Sequence, residues 1–229
     1  AMRLGLQGIP AAAEVIMVER DLRLVELTGG RYHVGPLSTA CAIDAVRRAK
    51  ARGLHVSADT APQYLVLNET AIGDYRTFAK LSPPLRSEAD RRAVIEGVKD
   101  GAIDAIASDH APHDQDSKRL PFAQAACGMI GLETLLAVTL ELVHGRHLTL
   151  GAALDKLTRG PAAILNLAAG RLGRGLAADL VLFDPEREWT IEEHRFRSKS
   201  KNSPFDGRLV RGRVVRTLVG GTSVFALGS

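Results

Sequence analysis

The chain has 229 residues, of which 45% are hydrophobic, with 30 Lys or Arg against 26 Asp or Glu. That is enough apolar material for a sizeable core, and a net charge of +4 is too small for a disordered polyelectrolyte. No apolar run reaches the roughly 18–20 residues that span a bilayer, so no membrane partner is expected.

The opening stretch, AMRLGLQGIPAAAEV, lacks the long apolar centre of a signal peptide. Residues 11–27 read as a helix, with Val15, Val18, Leu22 and Val25 on one stripe and Glu14, Arg20 and Arg23 off it. Gly29-Gly30 ends it. RYHVGPLS is a short strand, and STACAIDAVRRAKARG a helix with Ser38 or Thr39 as N-cap and Gly53 as its stop. LHVSAD is a second strand, APQYLVLNETAIGDY an irregular connection, and TFAKLS a possible strand before Pro83-Pro84. SEADRRAVIEGVKDG follows as an amphipathic helix capped by Ser87, and AIDAIASD as a buried strand. GLETLLAVTLELVHG and TLGAALDKLTRGPAAILN give two more helices. Alternation of strands with helices of 12–15 residues predicts βα units around a parallel sheet over residues 1–168. Beyond Gly170, short β-rich runs broken by Asp-Pro, Asp-Gly and Gly-Gly predict a small antiparallel module over residues 169–229.

The two cysteines, Cys41 and Cys127, form no disulfide framework and fit a reducing, cytoplasmic setting. Residues 194–216 carry eight Arg or Lys against one Asp. Such a run can bind phosphates, but no aromatic stacking pattern is interleaved, so a solvated face is expected and no nucleic-acid partner.

The chemistry concentrates in IDAIASDHAPHD, residues 103–114. An apolar strand that ends in Asp109 puts a carboxylate where parallel strands meet their loops, the side on which α/β active sites lie. There a carboxylate can bind a divalent metal or move a proton. His110 and His113 flank Pro112 and can be aimed at the same cavity. A polar turn in which Asp109 caps the next segment fits the spacing equally well.

This stretch resembles the signature near the end of the barrel in dihydroorotases, zinc-dependent cyclic amide hydrolases of the amidohydrolase superfamily. LGLQGIPAAAEVIMVERDLRLVELTGGRYHV, SPPLRSEADRRAVIEGVKDGAIDAI, GMIGLETLL, ADLVLFDP and SKSKNSPFDGRLVRGRV resemble the family in the same order, covering nearly the whole chain. The resemblance implies the C-terminal part of a (β/α)8 barrel of TIM type plus strands of a small β-sandwich. It implies reversible ring closure of N-carbamoyl-aspartate to dihydroorotate, in pyrimidine synthesis. Asp109 then matches the aspartate that contacts the metal and acts as general acid–base on the attacking water. His113 matches a histidine that helps to hold the substrate carboxylate. Cys127 and Gly128, in CGMIG, match a loop that passes the pyrimidine ring. Ser82, in LSPPLR, stands where many relatives carry a substrate-binding Asn.

Two departures from the family pattern bear on function. RYHVGPLSTA resembles a segment ending His-x-x-His-hydrophobic-Ser-Thr, and Pro36 stands at its second His, a metal ligand. Proline offers no lone pair there. His33 matches the non-ligand His and is expected to be structural. The family's His-x-His, bridging carboxylate or carboxylated lysine and further His belong upstream of these residues, and no His-x-His occurs here. Asp109 is the remaining metal residue, and one carboxylate does not hold zinc. The chain is therefore expected to bind none and to be inactive alone. It reads either as a fragment of a longer dihydroorotase-like protein or as a short homologue. A non-catalytic scaffold for aspartate carbamoyltransferase is the alternative and hydantoinase or allantoinase chemistry a third. The open side of a partial barrel implies self-association, most simply a two-fold dimer, with rearranged strands or a partner chain as the alternatives.

Overall fold

In the computed structural model, which describes residues 1–228, helix α1 (Ala11–Thr28) buries Val18, Leu22 and Val25, the stripe expected from their spacing. Strand β1 (Tyr32–Val34) leads to α2 (Ala40–Ala51), whose first turn is capped by Thr39 accepting from the Ala42 amide. Strand β2 (Val56–Thr60) is followed directly by a short helix, α3 (Pro62–Val66), inside the stretch expected to be irregular. Helix α4 (Glu88–Asp100) starts at Ser87, whose hydroxyl accepts from the Asp90 amide, and precedes β3 (Ala105–Ile106). The strands form one parallel sheet in the order β1-β2-β3. Helices α5 (Gln115–Arg119), α6 (Leu135–His144), α7 (Leu150–Leu157) and α8 (Arg159–Ile164) complete the α/β part.

A second sheet is antiparallel, in the order β4 (Leu180–Thr190), β5 (Leu209–Val219), β6 (Thr222–Ala226). One apolar core runs from Val18 and Leu22 of α1 through Ile43, Val46 and Ile103 to Ile191, Phe205 and Val210.

Four local expectations are corrected. TFAKLS is a 3-10 turn (Thr77–Ala79) and extended chain, because among the described residues no strand pairs with it. The last helix is two, α7 and α8, meeting at Thr158: Pro161 has no N–H to donate and fits only the first turn of a helix. Asp184-Pro185 does not break the sheet but lies in an irregularity of the continuous β4, where the Asp184 carboxylate accepts from the Glu186 and Arg187 amides. Glu14 is off the apolar stripe yet not in solvent. Its carboxylate accepts from the Ser38 and Thr39 amides and from both hydroxyls, with Arg86 at 3.6 Å. That buried pair ties α1 to the loop after β1 that contains Pro36.

The basic run lies along the second sheet and its approaches. Arg208 forks onto Glu141 of α6 at 2.6 and 2.8 Å, and Arg213 stacks over Trp189.

Candidate active site

Because β1, β2 and β3 are parallel, their C-terminal ends and the loops after them gather on one side. His33 lies opposite Ser57 in the register, and Asp59, two residues on, points to the same face. The imidazole fills the gap between them: Nδ1 is 2.8 Å from the Ser57 hydroxyl and Nε2 2.9 Å from the Asp59 carboxylate. Asp59 in turn occupies the space where a side chain at residue 35 would lie. A Cβ on Gly35 would be 2.1 Å from its Oδ1, so only glycine fits there.

Asp109 follows β3 with φ +47, in the left-handed region that non-glycine residues rarely adopt. Its Oδ2 accepts from Nε2 of Gln63 at 2.6 Å. Gln63 is fully buried, and its Oε1 has no partner. Burial raises the Asp109 pKa to about 6; the Gln63 bond opposes this rise and the Asp59 charge adds to it. Burial raises the pKa of Asp59 as well, opposed by His33.

The loop after β3 is fastened to residues 127–131. The Ala111 amide donates to the Met129 carbonyl at 2.7 Å and the Gly131 amide to His110 Nδ1 at 3.1 Å. His113 Nε2 lies 2.8 Å from the Cys127 carbonyl. His113 and Gly128 thus face each other, since a Cβ on Gly128 would be 3.1 Å from the imidazole and 2.6 Å from the Ala111 methyl. Ser82 is exposed, in a segment tied to α3 by the Tyr64 hydroxyl donating to the Pro83 carbonyl. Of the residues predicted from sequence, Asp109, His113, Cys127 and Gly128 lie in the segment after β3 and the loop fastened to it, whereas Pro36 stands after β1.

Sequence reasoning missed Gln63, which holds Asp109, and Asp59, which holds His33. The available signal was position, since both lie at or just after the C-terminal end of a parallel strand.

Zinc, implied by the family resemblance, does not fit these residues. Among the described residues no three His, Cys, Asp or Glu side chains are grouped so as to hold an ion. Both ring nitrogens of His33 are engaged by protein atoms, and the Pro36 side chain offers no ligand atom.

A carboxyl whose folded pKa is raised binds more protons in the native than in the unfolded state. Between roughly pH 4 and 6 stability therefore falls as pH rises. Asp109→Asn keeps an acceptor for Gln63 and removes this effect. It should stabilise the chain by about 1–2 kcal/mol at pH 7, allowing for partial exposure, and leave stability at pH 3.5 unchanged. Urea unfolding at the two pH values checks this; an equal change at both would show that the carboxyl is not perturbed.

A half-buried carboxylate held by an amide just beyond the C-terminal end of a parallel strand, beside a glycine-containing loop, lies in an α/β protein on the side where such folds bind their ligands. The chain belongs to the amidohydrolase family, whose model matches residues 20–224. It is 50% identical over 223 residues to a dihydroorotase of Anaplasma phagocytophilum, covering 97% of this chain and 50% of that protein. A dihydroorotase of Anaeromyxobacter dehalogenans is 49% identical over 230 residues, covering 100% of this chain and 53% of the relative. Among solved structures, the L-hydantoinase (dihydropyrimidinase) from Arthrobacter aurescens superposes with a TM-score of 0.90 at 30% identity, over 96% of this chain and 50% of that one. The dihydropyrimidinase from Brevibacillus agri gives 0.89 at 27%, over 95% and 49%. The chain spans about half the length of the curated relatives it matches.

Proposed function

We propose that this chain carries the acid–base carboxylate and part of the substrate lip of a dihydroorotase-like cyclic amide hydrolase. Its small-molecule substrates would be dihydroorotate and N-carbamoyl-aspartate, in pyrimidine biosynthesis. The observation that carries the reading is Asp109, held by Gln63 at a strand end beside the 127–131 loop, in a chain about half identical to dihydroorotases along nearly its whole length. The higher identity to dihydroorotases than to the hydantoinase and dihydropyrimidinase structures favours dihydroorotate as the ring substrate.

In this reading the three parallel strands are part of a (β/α)8 barrel over residues 1–168, and β4 to β6 are strands of a sandwich over residues 169–229. Asp109, with a pKa near 6, takes a proton from the attacking group and returns it to the leaving nitrogen. His113 holds the substrate carboxylate, the backbone at Cys127 and Gly128 lies against the ring, and Ser82 makes at most a weak contact. Nothing in the described residues generates hydroxide at neutral pH, so the chain by itself binds without turnover. The loss of a ligand at Pro36 also supports a second reading, a non-catalytic scaffold that assembles with aspartate carbamoyltransferase.

Millimolar dihydroorotate should shift the NMR resonances of His113 and Gly128, and hydantoin should not. Equal shifts with both, or with neither, would overturn the reading. The purified chain should contain well under one zinc per molecule and should not hydrolyse dihydroorotate, and Asp109→Ala should change neither result. Elemental analysis showing stoichiometric, chelator-resistant zinc would defeat the metal part. Hydrolysis that disappears in Asp109→Ala would show that a competent site is assembled some other way.

A further inference from the structure

The lip at residues 109–131 is fastened from within by a side chain that the chemistry above does not use. Lys118, on α5, is fully buried, yet it pairs with no carboxylate among the described residues. Its Nζ donates to the Ala126 carbonyl at 2.8 Å and to the Gly128 carbonyl at 3.0 Å. The Gly128 carbonyl accepts a second bond, at 3.1 Å, from the amide of Asn202 in the SKSKNSPF stretch. The same amide donates to the Ala111 carbonyl at 3.0 Å, and its oxygen accepts from the His113 N–H at 3.3 Å. On the other side the Gly128 amide donates to the Lys80 carbonyl at 2.9 Å. Three segments, around Lys80, Lys118 and Asn202, thus meet at Gly128.

A buried ammonium without a counter-ion is costly, and burial here pulls the Lys118 pKa down to about 8. A methionine would fill the same volume without that cost. What a methionine would not supply is a cation donating to two carbonyls, and charge-assisted bonds of this kind are roughly twice as strong as neutral ones. The cost is met where the position of Gly128 matters, against the His113 ring.

We infer that Lys118 is the positioning residue of this lip: its ammonium, with the Asn202 amide, fixes the Gly128 carbonyl and so sets where His113 and the backbone at residues 127–129 face a ligand. What the lip binds rests on the function proposed above; how it is held does not.

The test uses the whole chain and measures amide hydrogen exchange, with the His113 ring resonances as a local reporter. Lys118→Met should raise exchange at residues 110–113 and 126–131 at least tenfold and move the His113 signals, leaving α2 and β2 within twofold of the parent. Unchanged lip exchange, or a uniform rise across the chain, would overturn the inference. If Lys118→Met does not fold, Asn202→Ala, which removes the other donor to the same carbonyl, should open the same amides several-fold; no local opening there would overturn it as well. Titration with dihydroorotate separates the two claims. A lip that opens in Lys118→Met while the parent shows no dihydroorotate shifts leaves the inference standing and removes the functional reading.

Discussion

Gly131→Ala is expected to destabilise the chain by at least about 3 kcal/mol, a large share of the 5–15 kcal/mol typical of a domain. A Cβ there would be 1.9 Å from the Ser108 carbonyl oxygen and 3.0 Å from its carbon. Both are backbone atoms, so no flexible tip can swing aside. Either the chain leaving β3 or the 127–131 loop has to move. Movement breaks the Gly131 bond to His110 and the Ala111 bond to Met129 together, since both bridge the same two segments. Asp109, next to Ser108, would lose its aim at Gln63. The urea midpoint of the variant measures the first effect, and exchange at Ala111 and Gly131 the second. A variant with the parent's midpoint and protected amides at both positions would mean that these segments do not touch.

Static light scattering at micromolar concentration should give about twice the mass of the chain. Strand β1 pairs only with β2, so its other edge carries hydrogen-bonding groups with no strand partner among the described residues. Beside it, α1 turns Val18, Leu22 and Val25 to the core but leaves Ile16 at 65%, Leu24 at 52% and Leu27 at 81% exposure. Apolar surface is worth roughly 25 cal/mol per Å² when buried, and a two-fold pairing covers the same stripe on both copies at once. Replacing Leu24 and Leu27 with Lys should return a folded monomer, because both side chains already point away from the core. A parent chain that stays monomeric at these concentrations, with the double variant behaving identically, would rule out pairing through this face.

The sequence by itself was enough for those features whose cause is local. The α1 stripe follows from a 3.6-residue period, and the starts of α2 and α4 from a Thr39 or Ser87 hydroxyl within reach of an amide three residues on. That Asp109 follows β3 was legible because an apolar run ending in a carboxylate leaves little freedom over which strand that carboxylate lies beyond. The expectation at Pro36 needs no tertiary structure, because a side chain without a lone pair is no metal ligand in any fold. What only the tertiary structure decided are bonds between groups far apart along the chain. Gln63 and Asp109 are 46 residues apart, and Asn202 and Ala111 are 91 apart. Neither Gln nor Asn reveals by type or spacing which distant group it will meet. Glu14 carries a charge that periodicity assigns to solvent and Lys118 one that its type does, and each is buried because a set of backbone groups converges on it from other segments. TFAKLS has a strand's composition, but a strand exists only where another lies beside it to exchange hydrogen bonds, and among the described residues none pairs with it.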